Sequence, residues 1–167
     1  MADSTIVITR VLSAPRQLVF DAWTDPEQMK RWYGPSVFAN SECVIDARPG
    51  GKFLIVMVSP DGNEYPTGGE FIEVVAPERL VYRETSADLS EAFARMVRQQ
   101  LSAAGSDPDQ DTASTVTVTF DEHDDGTLVT IHTEFPTEAV RDAVAAMQME
   151  AGWNESLDTL ERVLAAT

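Results

Sequence analysis

Apolar and polar residues alternate from Thr5 to Leu12 (TIVITRVL), a β-branched run that predicts a strand. In the next stretch, PRQLVFDAWTD, the spacing changes. Leu18, Val19, Ala22 and Trp23 recur at three and four residues, which predicts one buried helical face ending by Thr24 or Asp25. Ser13 is the candidate cap of that helix, and Pro15 fits its first turn. A second short helix is predicted in DPEQMKRWYGP, with Asp25 as cap, Pro26 at the first position, Gln28 three residues after the cap and Gly34-Pro35 as the stop. Met29, Trp32 and Tyr33 give it more apolar surface than so short an element can leave exposed.

From Val37 to Glu84 the chain is punctuated by turn signals at Pro49-Gly50-Gly51, Asp61-Gly62, Gly68-Gly69 and Ala76-Pro77-Glu78. The runs between them, CVIDA, KFLIVMV, GEFIEVV and RLVYRET, are too short for helices and predict four strands of an antiparallel meander. STVTVTFDE and TLVTIHTEF, joined at Asp124-Asp125-Gly126, predict a further hairpin. Val116, Val118 and Phe120 lie on one of its faces and Thr115, Thr117 and Thr119 on the other. That brings the expected strands to seven.

Between these blocks, residues 87–113 fit neither pattern. Leu89, Phe93, Met96, Val97 and Leu101 share a helical stripe ahead of an acidic, proline-containing loop, so a helical insertion between strands five and six is expected. The stripe suits packing on the sheet edge, a lid or a dimer contact, which leaves both monomer and homodimer open.

A long carboxy-terminal helix is expected from Thr137 to Ala165. Its apolar face switches along its length: Val140, Val144, Met147 and Ala151 form one stripe, while Met149, Trp153, Leu157, Leu160 and Leu164 form another well away from it. Gly152 and Trp153 stand at the switch. Because a helical glycine costs about 0.5–1 kcal/mol relative to alanine, the expectation is that Gly152 permits a bend or close packing and that Trp153 fills the space between helix and sheet.

Charge and length narrow the functional classes. The chain has 167 residues, enough for one domain, 1–167, with its own core. Its formal net charge of -16 repels phosphate backbones and anionic membranes, so neither a nucleic acid nor a membrane is an expected partner. Acidic Asp3 stands where a secretory leader carries basic charge, which favours a soluble cytoplasmic protein. The one cysteine, Cys43, sits in an apolar strand pattern and reads as inert core packing.

Five stretches, PRQLVFDAWTDPEQMKRWYGP, IDARPGGKF, SPDGNEYPTGGEFIEVVAPERLVY, the threonine-rich hairpin and GWNESLDTLERVL, carry a resemblance. Together they resemble the START-like (SRPBCC) superfamily and, within it, the single-domain bacterial family named for the activator of the heat-shock protein 90 ATPase. The likeness covers most of the chain outside residues 87–113. It implies an α+β helix-grip fold: a curved seven-stranded antiparallel sheet around a long carboxy-terminal helix, with a cavity for a hydrophobic small molecule between them. It equally allows a co-chaperone that activates a heat-shock protein ATPase, or an enzyme of polyketide cyclase, aromatase or hydrolase type. Many relatives carry a histidine late in the last strand; here Thr133 takes that place and His132 precedes it, on the opposite face.

Residue by residue, catalytic chemistry is weakly supplied. His123 lies in the turn DEHDDG, and His132 alternates away from Val129, Ile131 and Phe135, so no nucleophile has an evident base. The acidic turn from Asp121 to Asp125 lacks the oxygen spacing of a calcium loop, and no glycine loop suits a phosphate, so no metal or cofactor is expected. Asp46, Glu70, Glu73 and Glu84 lie on strands and become acid–base candidates if buried. The large apolar set says more. Trp32, Phe53, Met57 and Phe71, with Tyr82, Phe120, Met149 and Trp153, are the candidate ligand-binding residues, because small-molecule sites have large apolar walls and few polar fixers.

Overall fold

A computed structural model of the chain describes residues 4–85 and 90–166. Strand β1 (Thr5–Leu12) is followed by helices α1 (Arg16–Thr24) and α2 (Pro26–Trp32), then by β2 (Ala39–Ile45), β3 (Lys52–Val58), β4 (Glu64–Val75) and β5 (Arg79–Glu84). Helix α3 (Glu91–Ala103) interrupts the sheet before β6 (Ser114–His123) and β7 (Gly126–Glu134), and α4 (Glu138–Ala145) and α5 (Met149–Ala165) complete the order. All seven strands form one antiparallel sheet in the order β1-β7-β6-β5-β4-β3-β2. This is the α+β helix-grip architecture. Among the described residues no helix is long and apolar enough to cross a membrane.

The period-two pattern sets the sheet's inner face. Val116, Val118 and Phe120 on β6, Val129 and Ile131 on β7, and Leu80 on β5 are buried, and Leu157 and Leu160 of α5 are buried in the same core. Helices α1 and α2 close this core with aromatic rings. Trp23 lies 4.5 Å from Trp32 and 5.4 Å from Phe120 between ring centroids, and Trp32 Nε1 donates to the Ala22 carbonyl. A second, smaller core joins α3 to α4 through Val97, Leu101, Phe135, Val140 and Ala143. Phe93 and Met149 pack beside it, whereas Leu89 of the expected stripe lies outside the described residues.

Three local expectations are corrected. Ser13 does not cap α1: Pro15 occupies the N-cap position without a side-chain cap, and its carbonyl accepts from the Leu18 and Val19 N–H groups. Asp25 does cap α2, accepting from the Glu27 N–H at 3.0 Å. Gly68-Gly69 is not a turn but lies inside β4, which starts earlier than its apolar run suggests. Gly69 is needed there for close approach, because a Cβ would overlap the Arg83 carbonyl oxygen on β5.

The third correction concerns the carboxy-terminal helix. It is two helices, and the break falls at Ala146–Gln148 rather than at Gly152. Met147 and Gln148 donate to the carbonyls three residues earlier, and Gln148 takes the left-handed conformation at φ 65°. Gly152 itself is regular helix: its N–H donates to the Gln148 carbonyl at 3.0 Å, and a Cβ there would meet nothing within 4 Å. The switch of apolar stripe therefore does bend the chain, but one turn upstream and at a glutamine. A left-handed non-glycine residue costs about 1–2 kcal/mol. Gln148→Gly is therefore expected to stabilise by about 0.5–1 kcal/mol after glycine's own entropy loss, and Gln148→Val to destabilise by about 1 kcal/mol or more. Urea unfolding of the two variants beside the parent checks the sign of each.

Candidate functional site

Helix α5 covers only part of the sheet's inner face. Its first turns are fixed by Trp153, which stacks on Trp23 at 6.5 Å and meets Tyr33 edge-on at 5.8 Å. Ser156 ties the same turns to the loop after α2, accepting from the Gly34 N–H at 2.9 Å and donating to the Gly152 carbonyl at 3.1 Å. Gly34 has φ 94°, and a Cβ there would stand 2.8 Å from Met57 Sδ, so both its backbone and its lack of side chain are used. Where α4 departs at the break, a cleft of about 460 Å3 opens between sheet and helices.

Its walls come from most of the molecule. The loop after α2 contributes Tyr33, Pro35 and Phe38, and β3 and β4 contribute Met57, Tyr65 and Thr67. Across from them stand Phe93 and Met96 of α3, Val144 of α4, and Met147, Met149 and Trp153 around the helix break. The expected helical insertion is therefore a wall of the cleft. Four of the chain's six methionines, Met57, Met96, Met147 and Met149, line it, giving soft walls that adapt to irregular shapes.

The polar part of the lining is ordered. Ser114, Glu84 and Thr67 lie on β6, β5 and β4, and Thr133 on β7. Ser114 is directly paired with Glu84, and Thr133 with Val116, two residues along β6 from Ser114. The inner-face sequences thus run Phe120, Val118, Val116, Ser114 on β6; Val129, Ile131, Thr133 on β7; and Leu80, Tyr82, Glu84 on β5, each turning polar at the cleft end. Thr133 is 2% exposed, and its hydroxyl is buried with no hydrogen-bond partner among the described residues.

A narrower recess of about 20 Å3 shares Tyr33 and Glu84 with the cleft. Phe53, Phe71 and Tyr82 line it with Trp23, whose indole N–H is likewise buried and unpartnered among the described residues. Burial first, and the charge of Glu84 second, push the Tyr33 and Tyr82 phenols well above their ordinary value, so both stay neutral donors. The Cys43 thiol is pushed up to about 11, chiefly by burial, which makes it a poor nucleophile.

Of the eight candidate binding residues, Met57, Met149 and Trp153 line the cleft, and Phe53, Phe71 and Tyr82 line the recess. Trp32 and Phe120 line neither. Trp32 is 1% exposed and Phe120 fully buried, both held in the ring cluster around Trp23, so they are core. Among the carboxylates, Glu84 reaches the lining, whereas Asp46 is exposed beside Arg48, Glu70 is exposed, and Glu73 pairs with Arg79. His123 accepts from the Asp125 N–H in its turn, and neither histidine lines the cleft. Among the described residues no group of His, Cys, Asp or Glu is placed to hold a metal ion.

The family model described as Activator of Hsp90 ATPase homolog 1-like protein matches residues 13–165. The chain belongs to this family. The fold of this AHSA1-like chain, of START/SRPBCC type, is similar to a solved protein from Nitrosomonas europaea, 28% identical, over 99% of this chain and 97% of that one with a TM-score of 0.79. A Mycobacterium smegmatis protein is 26% identical over 100% of this chain and 96% of its own, also with a TM-score of 0.79. An AHSA1-like protein from Aeromonas hydrophila, 24% identical over 97% of this chain and 92% of its own at a TM-score of 0.70, shares the fold. No curated protein matches.

The site makes two expectations. Gly152 borders the cleft with open space beyond its Cα, so Gly152→Ala is expected to stabilise the helix by about 0.5–1 kcal/mol. A rise of about 1–4 °C in the melting temperature checks it. The second expectation concerns alkaline pH. Cys43, Tyr33 and Tyr82 all hold their protons longer in the folded than in the unfolded chain, so their stabilising contribution is complete below the ordinary thiol value of 9.0. It is lost as pH rises, first between about 9 and 11 for Cys43 and then above 10.0 for the tyrosines. Urea unfolding across that range should show falling stability, with a shallower fall in Tyr33→Phe.

Proposed function

We propose that the cleft receives an apolar or amphipathic small molecule between the sheet and the carboxy-terminal helices. The observation that carries this reading is the cleft itself. Its volume of about 460 Å3 falls within the 300–1,000 Å3 typical of small-molecule sites, and its walls combine methionine and aromatic surfaces with a few converging hydroxyls. Burying about 300 Å2 of apolar ligand surface is worth about 7 kcal/mol. Since association itself costs about 4–15 kcal/mol, apolar contact alone holds a ligand weakly, and the polar lining decides which ligands stay.

The family description supports a second reading, a co-chaperone acting on a heat-shock protein 90 ATPase. That reading requires a complex with the chaperone and a changed ATPase rate. Cyclase, aromatase or hydrolase chemistry rests on Glu84 and the neighbouring tyrosines. Among the described lining residues there is no histidine or cysteine to form a nucleophile–histidine pair.

Nile red, an uncharged apolar dye, tests the binding reading directly. Saturable one-to-one fluorescence enhancement with a blue shift is expected for the parent protein, and Gly152→Leu, whose side chain enters the cleft, is expected to weaken it about tenfold or more. A parent protein that leaves the dye spectrum unchanged would sink the reading.

A further inference from the structure

We propose that the cleft selects amphiphiles whose polar end is an uncharged or cationic hydrogen-bond donor, an alcohol or an amine, over those ending in a carboxylate or phosphate. The inference rests on the small-molecule reading above and specifies the chemistry of the ligand's head.

Three observations converge on it. Buried polar groups are almost always hydrogen-bonded, yet the Thr133 hydroxyl, 2% exposed and part of the cleft lining, has no partner among the described residues. A ligand head that pairs with this hydroxyl removes a standing desolvation penalty. The second observation is what surrounds it. Ser114 sits one diagonal step from Thr133 across β6 and β7, roughly 7–8 Å by sheet geometry, and Glu84 lies directly opposite Ser114 on β5. Thr133, Ser114 and Glu84 thus form one polar strip across β7, β6 and β5 at the cleft end.

The third observation is charge. Among the described residues Glu84 is the sole carboxylate in the lining, and no lysine, arginine or histidine lines the cleft. A carboxylate or phosphate head would meet a like charge and find no cation, inside a chain whose net charge is already -16. A hydroxyl or ammonium head instead finds acceptors all along the strip, the Thr133 hydroxyl oxygen at one end, Ser114 between, and at the other the Glu84 carboxylate, whose charge favours a donor or a cation. Because the opposite walls carry Met96, Met147 and Met149, the tail is held by soft, adaptable surface. Discrimination therefore lies at the head rather than in tail shape.

The test is competition against Nile red on the full chain near neutral pH and at physiological salt. Dodecanol, dodecylamine, dodecanoate and dodecyl phosphate share one tail and differ only in head. Dodecanol and dodecylamine are expected to displace the dye at concentrations about tenfold lower than the two anions. Thr133→Val should weaken dodecanol about five- to tenfold with little change in dye affinity, and Thr133→Ser, which keeps the hydroxyl, should restore it. Glu84→Gln should remove most of the preference of amine over carboxylate. It changes the net charge of -16 by a single unit, so a preference that survives it intact comes from overall charge and overturns the assignment to this site. The head series on the parent protein needs no variant to fold. Dye binding with dodecanoate competing as well as dodecanol overturns this inference alone, whereas absence of dye binding overturns it together with the binding reading.

Discussion

The packing of the Trp153 indole between Trp23 and Tyr33 sets how far α5 reaches along the sheet. Below that contact Leu157 and Leu160 are fully buried against the inner face. Above it the chain turns away through the left-handed Gln148, and α4 packs chiefly on α3, touching the sheet only at its β1 edge. The strands continue past the point where the helix stops covering them. The cleft is that difference in length, walled by the insertion helix and floored by the strand ends.

Two cores follow from this arrangement. The larger, around Trp23, Trp32 and Phe120, holds sheet, α1, α2 and α5 together. The smaller, around Val97, Leu101, Phe135 and Val140, holds α3 to α4 at the cleft mouth. Residues that line the cleft thus sit largely on the smaller core and on the rim of the larger one. A substitution at the mouth acts on packing that the main core does not share.

The sheet was legible because strict alternation leaves little freedom: Val116, Val118 and Phe120 had to share a face, and they do. Helix ends were less so. Ser13 carries the right chemistry for a cap, but the Pro15 carbonyl already takes that place. The glycine rule misplaced the helix break, since tertiary packing of two divergent apolar stripes holds Gln148 in a conformation that local propensity assigns to glycine. At the site, large apolar residues were a blunt guide. Trp32 and Phe120 satisfy the same description as Trp153, and only three-dimensional packing separates core from wall. The sharper signal was polar. Glu84, Ser114 and Thr133 each end an apolar alternation on adjacent strands, and once the registers are known they fall on one wall.

The strand order has a consequence in time as well as in space. β2 to β5 each pair with a neighbour made just before or after them, but β1 pairs along its whole length with β7, Thr5 opposite Glu134 and Leu12 opposite Thr127. A chain emerging amino terminus first therefore produces a strand that waits, with one apolar face uncovered, until residue 134 has been made. The earliest strand synthesised is among the last to be zipped into place, and closing so long a loop makes that step slow relative to the meander. Between those two moments the exposed edge of β1 is the part of the nascent chain with most to gain from protection.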